Sequence, residues 1–113
     1  MTNRERLAWA AGIFEGEGSI TRIRRGDGFD LQISINLTDF DVLARFDEIV
    51  ARGWLYGPYH PASHGPRRKR YWRWAAYGDA AHDVLDLLGP WLLSRRRQQA
   101  RTHGVEIPAD SST

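Results

Sequence analysis

Residues 30–38 carry the most regular pattern in the chain, because apolar and polar side chains alternate there one by one. A period of two predicts a β-strand with one buried face and one polar face. Residues 19–24 alternate less regularly, and the turn signal Gly26-Asp27-Gly28 separates the two segments. We therefore predict a β-hairpin. The apolar members of its second strand are Leu31, Ile33, Ile35 and Leu37.

The segment before this hairpin has the period of a helix. Leu7, Ala11 and Phe14 recur at i, i+4 and i+7, which places them on one helical face. Thr2 and Glu5 have the spacing of a capping box at the helix start. We predict that this helix runs directly into the first strand.

The rest of the chain alternates between helical and extended patterns. A helix is predicted to end at Gly53, another to be capped by Asp79, and a third to be opened by Pro90. The order helix, hairpin, helix, hairpin, helix, helix indicates an α+β fold whose antiparallel sheet is covered on one face. We expect one domain over residues 1–107 and a disordered tail over residues 108–113. The elements after the first hairpin are predicted at residues 39–51, 54–60, 67–77, 79–88 and 90–100.

Composition limits the class of protein. The 113 residues include no cysteine, which excludes disulfides and thiolate metal sites. We find no signal peptide and no apolar run long enough to span a bilayer, so we expect a soluble intracellular protein without membrane contacts. We find no glycine-rich phosphate loop and no nucleophile elbow, and we expect no small-molecule substrate.

The net charge is only +2, but the basic residues are clustered. Clustered basic residues favour a polyanionic partner, through phosphate contacts and counterion release. One cluster alone is equally typical of a solvated surface, whereas three clusters in a chain with five tryptophans favour nucleic acid. The clusters are Arg22, Arg24 and Arg25; Arg67, Arg68, Lys69 and Arg70; and Arg95, Arg96 and Arg97.

The polar face of the predicted hairpin suits the same partner. Gln32, Ser34 and Asn36 carry groups that both donate and accept hydrogen bonds. Such groups read base edges in the major groove of DNA. An ordinary solvated sheet face is the alternative, although such a face more often carries Lys, Glu and Thr.

Two features distinguish the end of the first helix, which reads Ala10-Ala11-Gly12-Ile13-Phe14-Glu15-Gly16-Glu17-Gly18. Ala8, Gly12 and Gly16 form a stripe of small residues, although a mid-helix glycine costs about 0.5–1 kcal/mol relative to alanine. Such a stripe indicates close approach of another backbone. Glu15 and Glu17 lie at a helix C-terminus, where two acids are unfavourable unless a cation neutralises them. A core helix that ends in a glycine-rich turn with two solvated acids is the alternative.

These nine residues resemble the LAGLIDADG motif of homing endonucleases, in the variant whose two aspartates are glutamates. A second family signature, proline-aromatic-leucine followed by basic residues and Gln-Ala, is matched by Pro90-Trp91-Leu92 and residues 95–100. The resemblance covers about residues 4–100. It implies the order α-β-β-α-β-β-α(-α), with a four-stranded, saddle-shaped antiparallel sheet that lies in the DNA major groove.

The resemblance also implies an activity and an assembly. Homing endonucleases mobilise introns or inteins by cutting double-stranded DNA at long, nearly palindromic sites, and they leave 3′ overhangs. Family members with one motif are homodimers whose motif helices pack together, so a homodimer is implied here. The implied contact surface consists of Ala8, Gly12, Glu15 and Gly16.

The resemblance assigns roles to individual residues. Glu17, the second motif acid, corresponds to the ligand of a divalent metal shared with the scissile phosphate, which is Mg²⁺ with Mn²⁺ as the expected substitute. Asp39 corresponds to the polar residue that orients water. Arg95 or Arg96 corresponds to the basic residue that stabilises charge at the phosphate, and the spacing leaves both open. The implied DNA contacts are Ser19, Thr21, Arg22, Arg24, Arg25, Gln32, Ser34, Asn36, Arg67, Arg68, Lys69, Arg70 and Arg73.

Two other functions fit parts of the pattern. One is a relative without cleavage activity that binds RNA as an intron maturase or DNA as a regulator. The retained Glu17 argues for cleavage, because a pure binder needs no acid that faces phosphate. The other is a small structural or interaction domain.

His60 and His64 have a spacing seen in metal sites, but Pro61 and Gly65 favour a surface loop.

Overall fold

The computed structural model describes residues 1–61 and 69–108. Within these residues the elements follow the predicted order, and the predicted α+β class is confirmed. The helices are α1 (Asn3–Glu17), α2 (Phe40–Val50), α3 (Gly78–Leu88) and α4 (Ser94–Thr102), with a 3₁₀ turn (Gly89–Trp91) between α3 and α4. The strands are β1 (Gly18–Arg25), β2 (Gly28–Leu37), β3 (Trp54–Tyr59) and β4 (Tyr71–Tyr77). None of the described helices combines the length and the apolar character that crossing a membrane requires.

The four strands form one antiparallel sheet in the order β1-β2-β4-β3. Ile20, Ile33 and Ala76 are register partners in one row across three strands, and all three are buried. In the next row Trp74 is fully buried, and Phe46 of α2 packs edge-on against it with ring centroids 4.7 Å apart. Burial of each large apolar side chain stabilises the fold by about 1.5–3 kcal/mol. This face of the sheet, which we call the helix-covered face, forms the core.

The opposite face of the sheet, which we call the outer face, carries the alternate residues of each strand. Most of these residues are partly or fully exposed, whereas Ser34 and Ala75 at the centre are buried. The register assigns to this face Ser19, Thr21, Ile23 and Arg25 on β1; Asp30, Gln32, Ser34 and Asn36 on β2; Arg73, Ala75 and Tyr77 on β4; and Trp54 and Tyr56 on β3.

The predicted start of α1 is confirmed, whereas two other predicted helix termini are wrong. The Glu5 N–H donates to Thr2 Oγ1 at 3.1 Å, and the Thr2 N–H donates to the Glu5 carboxylate at 3.0 Å. Hydrogen bonding to Thr2 holds the pKa of the Glu5 carboxyl below its ordinary value. The left-handed residue that ends α2 is Ala51, with φ of 54°, and not Gly53. Asp79 lies inside the first turn of α3 and does not cap it.

The predicted single helix over residues 90–100 is also wrong. The chain is extended at Leu92, and α4 begins two residues later. The Arg97 guanidinium donates to the carbonyl oxygens of Leu92 at 2.9 Å and Gly89 at 2.6 Å. It also donates to the Ile107 carbonyl oxygen at 2.7 Å. The interruption is stable because Arg97 satisfies carbonyl groups that a continuous helix would have paired itself.

Candidate active site and nucleic-acid interface

Glu17 is the last residue of α1, and β1 begins at the next residue, so no loop separates this acid from the sheet. The Gly18 N–H donates to the Phe14 carbonyl oxygen and closes the helix. A Cβ atom on Gly18 would lie 2.5 Å from that oxygen, so this junction requires glycine. Glu17 is exposed, and no ion pair in the described part of the chain includes it. Its carboxylate is therefore accessible to a ligand from outside the chain.

Glu15, the first acid of the motif, makes its contacts inside the chain. Its carboxylate accepts a hydrogen bond from the Leu93 N–H at 2.7 Å. Its carbonyl oxygen accepts another from Arg96 Nε at 3.1 Å. These bonds join the end of α1 to the start of α4, and they distinguish Glu15 from the free Glu17.

Arg96 lies between α1, α4 and β1 and is only 4% exposed. Its Nη1 donates to Gln99 Oε1 at 2.8 Å, and the same oxygen accepts a hydrogen bond from the Ile20 N–H at 3.1 Å. Burial lowers the pKa of Arg96, and the charge of Arg95 lowers it further, while the motif carboxylates oppose the change. The guanidinium remains charged at neutral pH. Arg96 therefore joins the end of α1 to α4, and Gln99 joins the start of β1 to the same helix.

Arg95 and Asp39 are exposed, in contrast to Arg96. Arg95 lies in the first turn of α4, and Asp39 precedes α2 without a side-chain capping bond. Asp39 follows the end of β2 that pairs with the start of β1, so it lies at the same end of the sheet as Glu17.

In residues 1–61 and 69–108, no group of three or more His, Cys, Asp or Glu side chains could hold a metal ion. A hard cation at Glu17 therefore needs further oxygen ligands from phosphate, water or a second chain.

The outer face brings together several of the predicted DNA contacts. Asn36 and Arg73 are register partners, and Arg73 Nη1 donates to Asn36 Oδ1 at 3.2 Å. Ser34 is only 7% exposed, so it belongs to the floor of this face. The face also includes the partly exposed residues Ser19, Thr21 and Gln32.

Three predicted DNA contacts lie on the helix-covered side instead. Arg22 and Arg24 lie on the same side of β1 as the core residue Ile20. Arg22 Nε donates to the carbonyl oxygen of His103, the residue after α4, at 2.7 Å. The Arg24 guanidinium lies 5.9 Å from the Phe29 ring centroid. The Arg70 guanidinium lies 5.8 Å from the ring of Trp72, a residue of the helix-covered face. These arginines extend away from the polar rows of the outer face.

The remaining basic candidates are Arg25 and the second cluster. Arg25 is exposed on the outer face, where its Nε lies 3.5 Å from Asp30 Oδ2. Its guanidinium also lies 5.4 Å from the Tyr77 ring centroid. Lys69 is exposed just before β4, whereas Arg67 and Arg68 lie outside the described residues, as does His64.

Six outer-face residues were not among the predicted DNA contacts, and they are Ile23, Asp30, Trp54, Tyr56, Ala75 and Tyr77. Ile23 lies three positions after the buried Ile20, and an odd spacing on a strand places two residues on opposite faces. That spacing is the signal that could have found Ile23. The aromatic residues carry no equivalent signal, because aromatic rings are typical of cores and of binding surfaces alike.

The stripe of small residues on α1 has no packing function within the described chain. Gly12 and Gly16 are exposed, and Ala8 is partly exposed. A Cβ atom on either glycine would meet nothing within 4 Å. Glycine at these positions therefore destabilises α1 relative to alanine, and the described chain gains no packing contact in return.

Comparison with known proteins identifies the fold. No protein-family model and no curated protein matches the sequence. The homing endonuclease I-CvuI, in complex with the I-CreI target, is 17% identical, with a TM-score of 0.62 over 88% of this chain and 63% of that chain. The archaeal intron-encoded homing endonuclease I-Vdi141I, complexed with DNA, is 17% identical, with a TM-score of 0.61 over 87% and 64%. The LAGLIDADG meganuclease I-CpaMI, bound to uncleaved DNA, is 15% identical, with a TM-score of 0.59 over 86% and 33%.

This chain thus spans less than two thirds of the length of each of these proteins. The likeness nevertheless extends over most of the present chain, at 86–88% of its length. Because the structural likeness agrees with the motif at the end of α1, the chain has the fold of the LAGLIDADG homing endonucleases.

Proposed function

We propose that this protein is a site-specific endonuclease that cuts double-stranded DNA as a homodimer with a divalent metal ion. The observation that carries the proposal is the free Glu17 carboxylate at the junction of α1 and β1, beside a sheet face that presents Asn36 and Arg73. The matched structures support it, because they hold DNA and because the I-CvuI complexes were obtained with Mg or Ca.

In this proposal the outer face lies against the major groove of the DNA. Asn36, Gln32 and Thr21 supply hydrogen-bond donors and acceptors for base edges. Arg73, Arg25 and other exposed basic residues contact phosphates, which position the protein without reading sequence. A long, nearly palindromic site follows from two such faces, and mobility of an intron or intein is the proposed biological role.

The homodimer is proposed because one described chain supplies one free motif acid. Two α1 helices packed along Ala8, Gly12 and Gly16 would approach closely, since no side chain separates their backbones there. A two-fold axis through this contact makes the interface isologous. It also brings two Glu17 carboxylates to the centre, one for each strand of the DNA.

The residues at the α1–β1 junction fit a hard divalent cation, because an exposed carboxylate and a neighbouring phosphate are the oxygen ligands that Mg²⁺ prefers. When bound, Mg²⁺ supplies charge neutralisation at the scissile phosphate and an acidified water, and Mn²⁺ is proposed to substitute. Glu17 would hold the cation, and Asp39 would accept a hydrogen bond from the attacking water and so orient it. Arg95 stabilises negative charge on the phosphate, but it donates no proton because its guanidinium stays protonated.

Glu17→Gln tests this assignment, because it keeps the shape of the side chain but removes the charge that retains a hard cation. We expect the variant to bind its site at least as tightly as the wild type, since two acids no longer repel the phosphates. We expect it to cut neither strand detectably. The measurements are plasmid nicking and gel shift, on a site selected from a randomised DNA library in the presence of Mg²⁺.

Glu48→Gln is the matched control, because Glu48 is an exposed acid on α2 and has no role in the proposed site. It should cut at the wild-type rate. Asp39→Asn should slow cleavage less than Glu17→Gln, because Asp39 orients water and does not hold the metal. Cleavage by Glu17→Gln at the wild-type rate would contradict the nuclease mechanism and favour a binding protein, such as a maturase or a regulator.

A further inference from the structure

Two side chains of α4 bind the backbone on either side of Glu17. Two residues before this acid, the Glu15 carbonyl oxygen accepts a hydrogen bond from Arg96 Nε at 3.1 Å. Three residues after it, the Ile20 N–H donates to Gln99 Oε1 at 3.1 Å. The acid therefore lies between two backbone groups that are held by the same helix, although its own side chain is exposed.

Regular secondary structure leaves such backbone groups without partners. The last carbonyl groups of an α-helix have no N–H group further along the helix to bind them. β1 is an edge strand, so every second N–H group along it faces away from its one neighbour, β2. Ile20 is fully buried, and an unpaired buried backbone group costs free energy. The α4 side chains therefore bind groups that the passage from α1 into β1 leaves open.

Gln99 connects the two bonds, because its Oε1 also accepts a hydrogen bond from Arg96 Nη1 at 2.8 Å. Arg96 and Gln99 are three positions apart on α4, a spacing that places both on one face of the helix. Without the amide oxygen of Gln99, the Ile20 N–H and one arm of the buried guanidinium would both lose their acceptor. One atom thus serves both attachments.

The location of these attachments indicates more than a contribution to stability. Residues 15 and 20 are joined to the same helix, so the four residues between them have little freedom to move. Glu17 is one of these four, and its exposed carboxylate is accessible to an external ligand. A ligand group that is already held in place binds a metal ion more tightly, because less conformational freedom is lost on binding.

We propose that Gln99 is a positioning residue that fixes the Glu17 carboxylate for its divalent metal ion. Gln99 acts through the backbone, since it holds Ile20 directly and Glu15 through Arg96. It contacts neither the metal nor the DNA. The inference rests on the proposed function, because it takes Glu17 as the metal ligand. Residues that orient a metal ligand from outside contribute about 10- to 100-fold to metal affinity or activity.

Gln99→Met tests the proposal, because methionine keeps the length and the helix propensity of glutamine but lacks the amide oxygen. We expect the complex of this variant with its DNA site to bind Ca²⁺, a hard cation like Mg²⁺, about 10- to 100-fold more weakly than the wild-type complex. The affinity for the same DNA in EDTA should remain that of the wild type, because the outer face does not depend on Gln99. Calorimetric titration measures the metal affinity, and gel shift measures the DNA affinity.

Two further variants separate positioning from other effects. Gln99→Glu should restore the wild-type metal affinity, since one carboxylate oxygen can accept both hydrogen bonds. Gln98→Met is the matched control, because Gln98 is the adjacent, exposed glutamine of α4, and it should bind metal like the wild type. Amide hydrogen exchange at Ile20 should become faster in Gln99→Met and stay slow in the other two variants.

Circular dichroism checks that each variant is folded. If Gln99→Met does not fold, Gln99→Asn takes its place, because its amide oxygen lies one methylene closer to α4 and further from the Ile20 N–H. The same weaker metal binding and unchanged DNA affinity are then expected of Gln99→Asn.

Three outcomes would overturn the inference and leave the proposed function intact. They are a wild-type metal affinity of the folded variant, an equal loss of metal affinity and of DNA affinity in EDTA, and a failure of Gln99→Glu to restore metal binding. The second outcome would show that Gln99 only stabilises the fold. A wild-type metal affinity of Glu17→Gln would instead overturn the proposed function, because it would remove the ligand that Gln99 positions.

Discussion

At the scale of single residues, Arg95 and Arg96 show that two adjacent arginines can lie in different environments. Arg95 is exposed at the start of α4, whereas Arg96 is buried and donates to Glu15 and Gln99. A charged side chain in such a place stabilises the fold only while its hydrogen bonds are made. We therefore assign the phosphate contact to Arg95 and a positioning role to Arg96.

Arg96→Lys is expected to lower the free energy of unfolding by about 1.5–3 kcal/mol, because one ammonium group cannot reach both acceptors of the guanidinium. Arg95→Lys should change it by less than about 0.5 kcal/mol, as exposed substitutions usually do. Urea denaturation of the two variants gives the comparison. Equal denaturation midpoints would show that the contacts of Arg96 do not hold the motif segment in place.

The sequence alone could not separate these two arginines, because their burial depends on the phase of α4. Successive residues of a helix point about 100° apart, so a shift of the helix start by one residue exchanges the buried and the exposed side chain. That start is determined by the extended residue Leu92 and by the contacts of Arg97 with distant carbonyl groups. Hydrophobic periodicity carries no information about such contacts.

At the scale of elements, the glycines in α1 and at its junction with β1 serve different purposes. Gly18 is required by its own chain, since a Cβ atom would contact Phe14. Gly12 and Gly16 have open space around them, which makes an effect on assembly separable from an effect on folding.

Gly12→Leu should therefore leave the chain folded and break the dimer. Leucine favours the helix by about 0.5–1 kcal/mol relative to glycine, but its side chain would hold a partner helix away. Light scattering should show a halved mass, while circular dichroism should show an unchanged helical signal. Gly18→Ala is the control and should lower thermal stability. A dimeric Gly12→Leu protein would show that the stripe is not the interface.

Among the elements themselves, the order and the hairpins could be predicted, because burial of one face leaves a period of two in strands and of about 3.6 residues in helices. Helix ends were harder to predict. Gly53 has φ of 88° and lies where a Cβ atom would approach the Ala75 carbonyl oxygen to 2.8 Å, so its glycine serves strand packing rather than the end of α2. Ala51 takes the left-handed position instead. The sequence indicated that Gly53 has a structural function, but it did not show that this function is close packing against β4.

At the scale of the whole molecule, the sheet presents Asn36 and Arg73 as a bonded pair, although the proposed function gives them separate roles in base reading and phosphate contact. Arg73→Ala should weaken binding to every DNA sequence and reduce the salt dependence by about one unit of slope. It should also relax the base preference that Asn36 provides, because the amide loses the group that orients it.

Asn36→Ala should relax that preference alone, by about 1–3 kcal/mol for a bidentate contact. The double variant should lose less than the sum of the two single losses, as expected for residues in contact. Titrations of matched and mismatched sites at several salt concentrations give all of these values. Strict additivity would show that the two residues act independently on DNA.

The direct passage from α1 into β1 has a consequence for how such a protein can change its target. Because α1 ends at Glu17 and β1 begins at Gly18, no loop could absorb an extra residue between them. A single inserted residue would therefore shift β1 by one position and exchange its two faces. Ile20 would then leave the core, and Ser19 would take its place. In the proposed nuclease, new targets would therefore be accessible by exchange of side chains on the outer face, but not by changes in chain length at this point. The distance along the DNA between the first base contacted by β1 and the cleaved bond would then be fixed by the α1–β1 junction.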